Sequence, residues 1–316
     1  MMLLLVLAHL QYPRRCFFLE NRRALCYHPR LVIWLVYIFS FVIGAAVGSF
    51  LNVCIYRLPR EMSVAGPGSH CPTCGQALAW YDNVPVLSFL LLGGRCRHCG
   101  ATISGRYALV ELLTGLLFLA TLARLGPDGG FNAAQAGVAL VVIPTLVAAS
   151  FIDIERQIIP DEITLPGIGV GCLAGLVLPQ IHGPAGFLLG RVEAAVPAHL
   201  YGLIASVAGA AIGGGFIYLT GVAGKVIFRK EAMGFGDVKL MAMVGAFLGW
   251  QATLMSIFLG CVFGAVIGII IVFVMRRKDT RIPFGPYLSL GVVSIMFFQA
   301  QLISAHHWWQ RLLTAG

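Results

Sequence analysis

Charged residues are scarce in this sequence. Asp, Glu, Lys and Arg make up 11% of 316 residues, against about 25% in soluble domains. Hydrophobic residues make up 59%, and the mean hydropathy is +0.87. A soluble globule could not bury that much apolar surface, because burial is limited by the surface-to-volume ratio. The composition therefore excludes a soluble enzyme, a disordered chain and a disulfide-rich secreted toxin, and it points to a polytopic helical membrane protein. Acids are scarcer still, 13 against 22 Lys and Arg, for a net charge of +9. In a soluble protein such an excess suggests nucleic acid or anionic lipid. In a membrane protein it marks cytoplasmic loops, and no nucleic-acid partner is needed to explain it. The sequence also lacks a Gly-x-Gly-x-x-Gly loop, so no dinucleotide-type motif places a cofactor.

Because charges are few, they punctuate the chain. A spanning helix needs about 20 mostly apolar residues. Candidate spans cover 31–56, 107–123, 136–152, 163–181, 200–222, two within 240–275, and 284–304. The run 240–275 is too long for one helix, and Gly249-Trp250 is the expected break. Gly126-Pro-Asp-Gly-Gly130 reads as a turn, and Arg276-Arg277-Lys278 as a stop. About eight spans put the loops 57–106, 153–162, 223–239 and 276–283 on one side, with 14 basic residues. The opposite loops and tail carry Arg124, Arg191 and Arg311. The positive-inside rule makes the first set cytoplasmic. Residues 1–30 read as an extension whose basic residues go against that rule. The expected division is 1–30 extension, 31–56 first span, 57–106 cytoplasmic loop domain, 107–304 membrane domain and 305–316 tail.

Nine cysteines are present, and four fall into two pairs. Cys71-Pro-Thr-Cys74-Gly and Cys96-Arg-His-Cys99-Gly are separated by 21 residues. Each pair is followed by a glycine that lets the backbone turn under the sulfurs. Four thiolates on two such turns suit a closed structural zinc site. The cytoplasmic assignment disfavours disulfides, because thiols stay reduced there. His70 and His98 adjoin the cysteines, but four sulfurs already complete a tetrahedral site, so both are expected to face solvent. A loop of about 50 residues has little core, and a metal would supply folding energy.

Ionisable groups inside a membrane are costly and mark function. Three acids border or enter spans: Glu111, Asp153 and Asp237. Asp153 ends the third span, and Asp237 opens the sixth within Gly234-Phe-Gly236-Asp237-Val-Lys239. Both fall on the cytoplasmic side, where two carboxyls sharing a proton could activate water and polarise a carbonyl. Helix polarity would favour Asp237 as the ionised base and Asp153 as the protonated acid. Gly234 and Gly236 would allow close backbone approach. Asp161, after Pro160, reads as a helix N-cap, and Glu111 as a partner for Arg106.

Five segments in order carry a resemblance. They are Gly48-Ser-Phe-Leu-Asn-Val-Cys-Ile-Tyr-Arg57-Leu-Pro59, the two cysteine pairs, Ile103-Ser-Gly-Arg-Tyr-Ala-Leu-Val-Glu111, Asp153-Ile-Glu-Arg-Gln-Ile-Ile-Pro160-Asp161-Glu-Ile-Thr164, and Gly234-Phe-Gly-Asp-Val-Lys239. From about residue 40 to 300 the chain resembles the type 4 prepilin peptidases, which are membrane aspartyl proteases of the GxGD kind. The resemblance implies catalytic acids at Asp153 and Asp237, supported by Gly234, Gly236 and Lys239. It implies removal of a basic leader from prepilins or pseudopilins at the cytoplasmic face of the bacterial inner membrane. It also implies methylation of the new N-terminus with S-adenosylmethionine, assigned to the N-terminal part. There Gly94-Arg95 resembles a glycine-basic pair, with Arg where Lys is common. The alternatives are another GxGD peptidase without methylation, a proton-coupled transporter using the two acids as a relay, and a zinc-dependent assembly scaffold.

Overall fold

A computed structural model describes residues 15–18, 24–27, 29–66, 68–124, 132–182, 195–229, 234–275 and 283–314. The turn at 126–130, most of the 182–199 loop and the Arg276–Lys278 stop lie outside the described residues. A short antiparallel hairpin, β1 (Arg15–Phe18) and β2 (Ala24–Tyr27), precedes the helices. Apart from the largely non-helical stretch 61–105, the rest is mainly helical. In chain order the helices are α1 (Pro29–Arg57), α2 (Leu87–Leu91), α3 (Arg106–Ala123), α4 (Ala133–Arg156), α5 (Asp161–Val177), α6 (Ala198–Phe228), α7 (Phe235–Met275) and α8 (Gly285–Thr314). The protein is an all-α polytopic membrane protein with a small cysteine-bearing loop domain between α1 and α3.

Among the described residues, five helices are long and apolar enough to cross a membrane: α1, α3, α4, α6 and α7. Helix α5 has 17 residues, and the apolar part of α8 is Gly285–Phe298. Helix α7 has 41 residues and is not straight. Gly249 has φ 77° and ψ 170°, a conformation that only glycine adopts readily. A Cβ on Gly213 of α6 would meet Met241 O at 2.6 Å and Thr253 Cγ2 at 2.7 Å. In one straight helix, residues 241 and 253 would stand about 18 Å apart. Helix α7 therefore reverses at Gly249 into two limbs, 235–248 and 250–275. Counting both limbs, and adding the shorter apolar helices α5 and α8, gives eight apolar helical segments at the places the charge pattern predicts, although α5 and α8 fall short of the length of the other spans. Helix α8 continues through residues expected to form a tail.

Glycines set the closest helix contacts, as is usual where lipid gives no hydrophobic drive between helices. A Cβ on Gly48 of α1 would stand 2.7 Å from Glu111 Cα of α3. Cβ atoms on Gly209 of α6 or Gly245 of α7 would collide with the carbonyl oxygen of the other glycine. Helix α4 is central. It starts with a capping box, Asn132 Oδ1 accepting from Gln135 N at 2.8 Å and Asn132 N donating to Gln135 Oε1 at 3.1 Å. It stops at Gln157 in the left-handed region, φ 56°. One of its faces places Val142, Leu146 and Ala149 against Leu240, Met241, Val244 and Leu288. Another places Ile143, Val147 and Ile152 with Leu51, Ile55 and Val110. This packing brings the end of α4 and the start of α7 to the same end of the bundle.

Candidate active site and metal centre

Asp153 lies in the last turn of α4, and Asp237 in the first turn of α7. Both are buried, with 7% and 8% of their surface exposed. The two carboxyls, 84 positions apart in sequence, lie within electrostatic reach of one another. Each is held by backbone. The N–H of Gly285, at the start of α8, donates to Asp153 Oδ2 at 2.8 Å. The backbone of Gly234 hydrogen-bonds the Asp237 carboxyl. Helix polarity therefore does not separate the two acids as the sequence suggests, since each meets the N-terminal turn of a helix. Gly236 is where α7 passes the α4–α5 connection most closely, and a Cβ there would stand 2.9 Å from Ile159 Cβ. Two such carboxyls can act as a general acid and a general base.

Around this pair the acids sort differently from the sequence expectation. Asp161 is not an N-cap. Pro160 holds that position, and no side chain caps the helix. Both Asp161 carboxylate oxygens instead accept from Lys239 Nζ, at 2.6 and 2.7 Å. That ion pair ties the first turn of α5 to the first turn of α7. Arg106 pairs with Glu155, not with Glu111. Glu111 is buried and accepts the N–H of Val86 at 2.8 Å. Val86 has φ 61°, an unusual conformation for a β-branched residue. The buried carboxylate thus fastens the loop domain to α3.

The loop domain is built on two equivalent turns. In the first, Gly75 N donates to Cys71 O at 2.9 Å, and Cys71 N to Gln76 O at 2.9 Å. In the second, Gly100 N donates to Cys96 O at 2.9 Å, and Cys96 N to Ala101 O at 2.8 Å. Gly75 and Gly100 have φ of 69° and 70°. The four Sγ atoms of Cys71, Cys74, Cys96 and Cys99 lie within 4.8 Å of one another. Cys71 and Cys99 sulfurs are 3.9 Å apart. A tetrahedral site with Zn–S of about 2.3 Å has S···S edges of about 3.8 Å, so the donor set and spacing fit a metal. The N–H groups of Cys74 and then Thr73 bring the Cys71 thiol down to about 6. The Ala101 N–H lowers Cys99, but burial and the neighbouring sulfurs outweigh it and push that thiol up to about 11. His70 and His98 are exposed, and His70 Nδ1 contacts its own loop at Gly68 O, 3.1 Å. Gly94 has φ 68° and packs on the Phe89 ring, while Arg95 is exposed and bridges to Thr102. This pair leads into the second cysteine turn.

Sequence reasoning misses two participants. Gly285 contacts Asp153 only through the fold, although Pro283-Phe-Gly-Pro286 at a span start is a visible signal. Val86 gives no signal in the sequence.

The description "Bacterial Peptidase A24 N-terminal domain" matches residues 42–125, and "Type IV leader peptidase family" matches residues 140–269. A prepilin leader peptidase/N-methyltransferase of Myxococcus xanthus is 41% identical over 77% of this chain, which spans 65% of that relative's length. A protein of the same name from Burkholderia pseudomallei is 35% identical over 82% of this chain and 84% of its own. A type 4 prepilin-like proteins leader peptide-processing enzyme of Escherichia coli is 36% identical, covering 81% and 92% respectively. No solved structure matches the chain.

Proposed function

This chain belongs to the type IV leader peptidase family, and on that premise we propose that it cleaves the leader from prepilins or pseudopilins and methylates the new N-terminus. Asp153 and Asp237 are the catalytic acids. The observation that carries this reading is their shared burial at one end of the bundle, each held by backbone. One carboxylate takes a proton from water as the water oxygen attacks the scissile carbonyl carbon. The other, protonated, gives its proton to the carbonyl oxygen. Collapse of the tetrahedral intermediate breaks the C–N bond; the amine leaves with the proton held by the first acid, and a hydroxyl proton of the intermediate returns to the second. Gly234, Gly236 and Lys239 position Asp237, through backbone contact, close packing and the Asp161 ion pair respectively.

The protein is a multi-pass membrane protein. The catalytic end faces the cytoplasm, because the loops at that end carry the basic excess. A leader then stays in water while the apolar segment behind it enters the bundle. Cys71, Cys74, Cys96 and Cys99 hold a structural Zn2+, which supplies folding energy to the loop. S-adenosylmethionine supplies the methyl group when bound, and Gly94 and Arg95 shape the loop that serves this second step. The test is incubation of the reconstituted protein with a prepilin, read by mass spectrometry. Leader loss without the methyl donor, and leader loss plus one methyl group with it, are expected. An intact prepilin under both conditions would refute the reading.

A further inference from the structure

An open apolar cavity of about 290 Å³ lies between α1, α4, α5 and the first limb of α7. Leu51, Thr145, Val170, Met243 and Phe247 line it, and Glu162 is the single charged side chain on its wall. Its place relative to the catalytic pair is fixed by helix rise. Ala148 lies five residues before Asp153, and Met243 six residues after Asp237, and both line the cavity. At 1.5 Å per residue the cavity begins about 8–9 Å along the helices from the acids, on the membrane side. The same two helices therefore carry the acids at their ends and the cavity just below.

Two prolines distinguish this cavity from a gap filled by lipid. Pro144 of α4 and Pro166 of α5 both stand inside helices and both line it. Each lacks the N–H that would bond the carbonyl four residues earlier, at Leu140 and Glu162. Residues four apart share a helix face, so each carbonyl stands on the proline side of its helix, and Glu162 lines the cavity together with Pro166. A peptide backbone can donate to such carbonyls, whereas an acyl chain has no donor. The size is at the small end of ligand pockets, about 300–1,000 Å³, which suits a few apolar side chains and not a whole helix.

We propose that this cavity seats the apolar residues that begin about two to three positions beyond the scissile bond of the substrate, the reach of extended chain from the acids. The assignment rests on the peptidase reading and adds where the substrate lies. A chain held across Asp153 and Asp237 and running into the membrane passes along this wall. Glu162, at the start of α5, then faces the segment at the aqueous rim and favours a substrate with basic residues there.

The test fills the cavity from its exposed wall residues with Val141→Trp and Val170→Trp in the reconstituted full-length protein. Two substrates are compared: an intact prepilin, and the same prepilin truncated about two residues beyond the cleavage site, short of the cavity. A rise in KM of about tenfold for the intact substrate, with kcat and truncated-substrate cleavage unchanged, is expected, as for loss of uniform binding. Unchanged KM in variants of an active enzyme overturns the cavity assignment and leaves the peptidase reading standing. Failure of the unsubstituted protein to cleave any prepilin refutes the peptidase reading instead. Should the variants lose both activities, a photo-crosslinking phenylalanine derivative at Val170 decides. Adducts on substrate residues after the scissile bond support the proposal, and adducts on lipid alone overturn it.

Discussion

The backbone N–H of Gly285 donates to the Asp153 carboxylate at 2.8 Å, across 132 residues of sequence. This bond joins the last helix to the central one and fixes the carboxyl that faces Asp237. A Cβ on Gly285 would stand 2.8 Å from Asp153 Oδ2 and 3.3 Å from its Cγ. Gly285→Ala must therefore move the acid. Misplacement of a catalytic group by about 1 Å costs about 100-fold in rate. The variant is expected to lose cleavage on that scale while keeping the helical content and methylation of pre-cleaved substrate. Single-turnover cleavage with circular dichroism checks this.

Lys239 reaches across to Asp161 with both oxygens engaged. The pair is partly exposed, 23% and 53% for the two side chains, so it contributes at most about 1 kcal/mol to stability. Its effect on catalysis is larger, because Lys239 sits two residues from Asp237. Lys239→Met is expected to shift Tm by only a few degrees and to lower kcat by about tenfold with KM unchanged. Steady-state kinetics beside a thermal melt separate the two.

Glu111 fastens the loop domain through Val86. Replacing it with Ala strands a partly buried N–H, at about 1–3 kcal/mol. Replacing it with Gln keeps an acceptor. Glu111→Ala is expected to speed amide exchange at Val86 and proteolysis within 63–105, and Glu111→Gln to leave both near the unsubstituted rate. Hydrogen-exchange mass spectrometry reads the difference.

The metal site makes a pH prediction with a definite sign. Metal binding requires thiolates. Cys71 titrates at about 6 and Cys99 at about 11. Above pH 7 Cys71 is already ionised, whereas Cys99 must give up a proton to the metal. Apparent Zn2+ affinity therefore rises by at least about tenfold per unit from pH 7 to 8, with at least one proton released per ion bound. Calorimetry in buffers of different ionisation enthalpy measures the release. Cys71→Ser or Cys96→Ser should lose the ion and loosen the loop, and should spare the helical bundle.

Much of this was legible because charge was scarce. With 13 acids in the chain, each could be weighed, and the spans between charges coincide with helices. Gly249 marked the reversal in α7, since an apolar run longer than the bilayer has to turn. The two Cys-x-x-Cys-Gly turns were legible because ligand spacing is local. What failed was contact across the bundle. Asp161 follows a proline and looks like a cap, yet its partner is Lys239, 78 residues away. Glu111 and Arg106 are near in sequence but face different partners. Local spacing carries periodicity and turn chemistry. It does not say which helix ends meet, and that is what sets Gly285 against Asp153.

The central claim is that Asp153 and Asp237 act as one catalytic pair. The most direct measurement is single-turnover cleavage of a reconstituted prepilin by Asp153→Asn, Asp237→Asn and the double variant. A pair acting as a unit predicts that each single variant loses cleavage about as completely as the double, while methylation of pre-cleaved substrate persists in all three. Cleavage by either single variant at the unsubstituted rate would contradict the account.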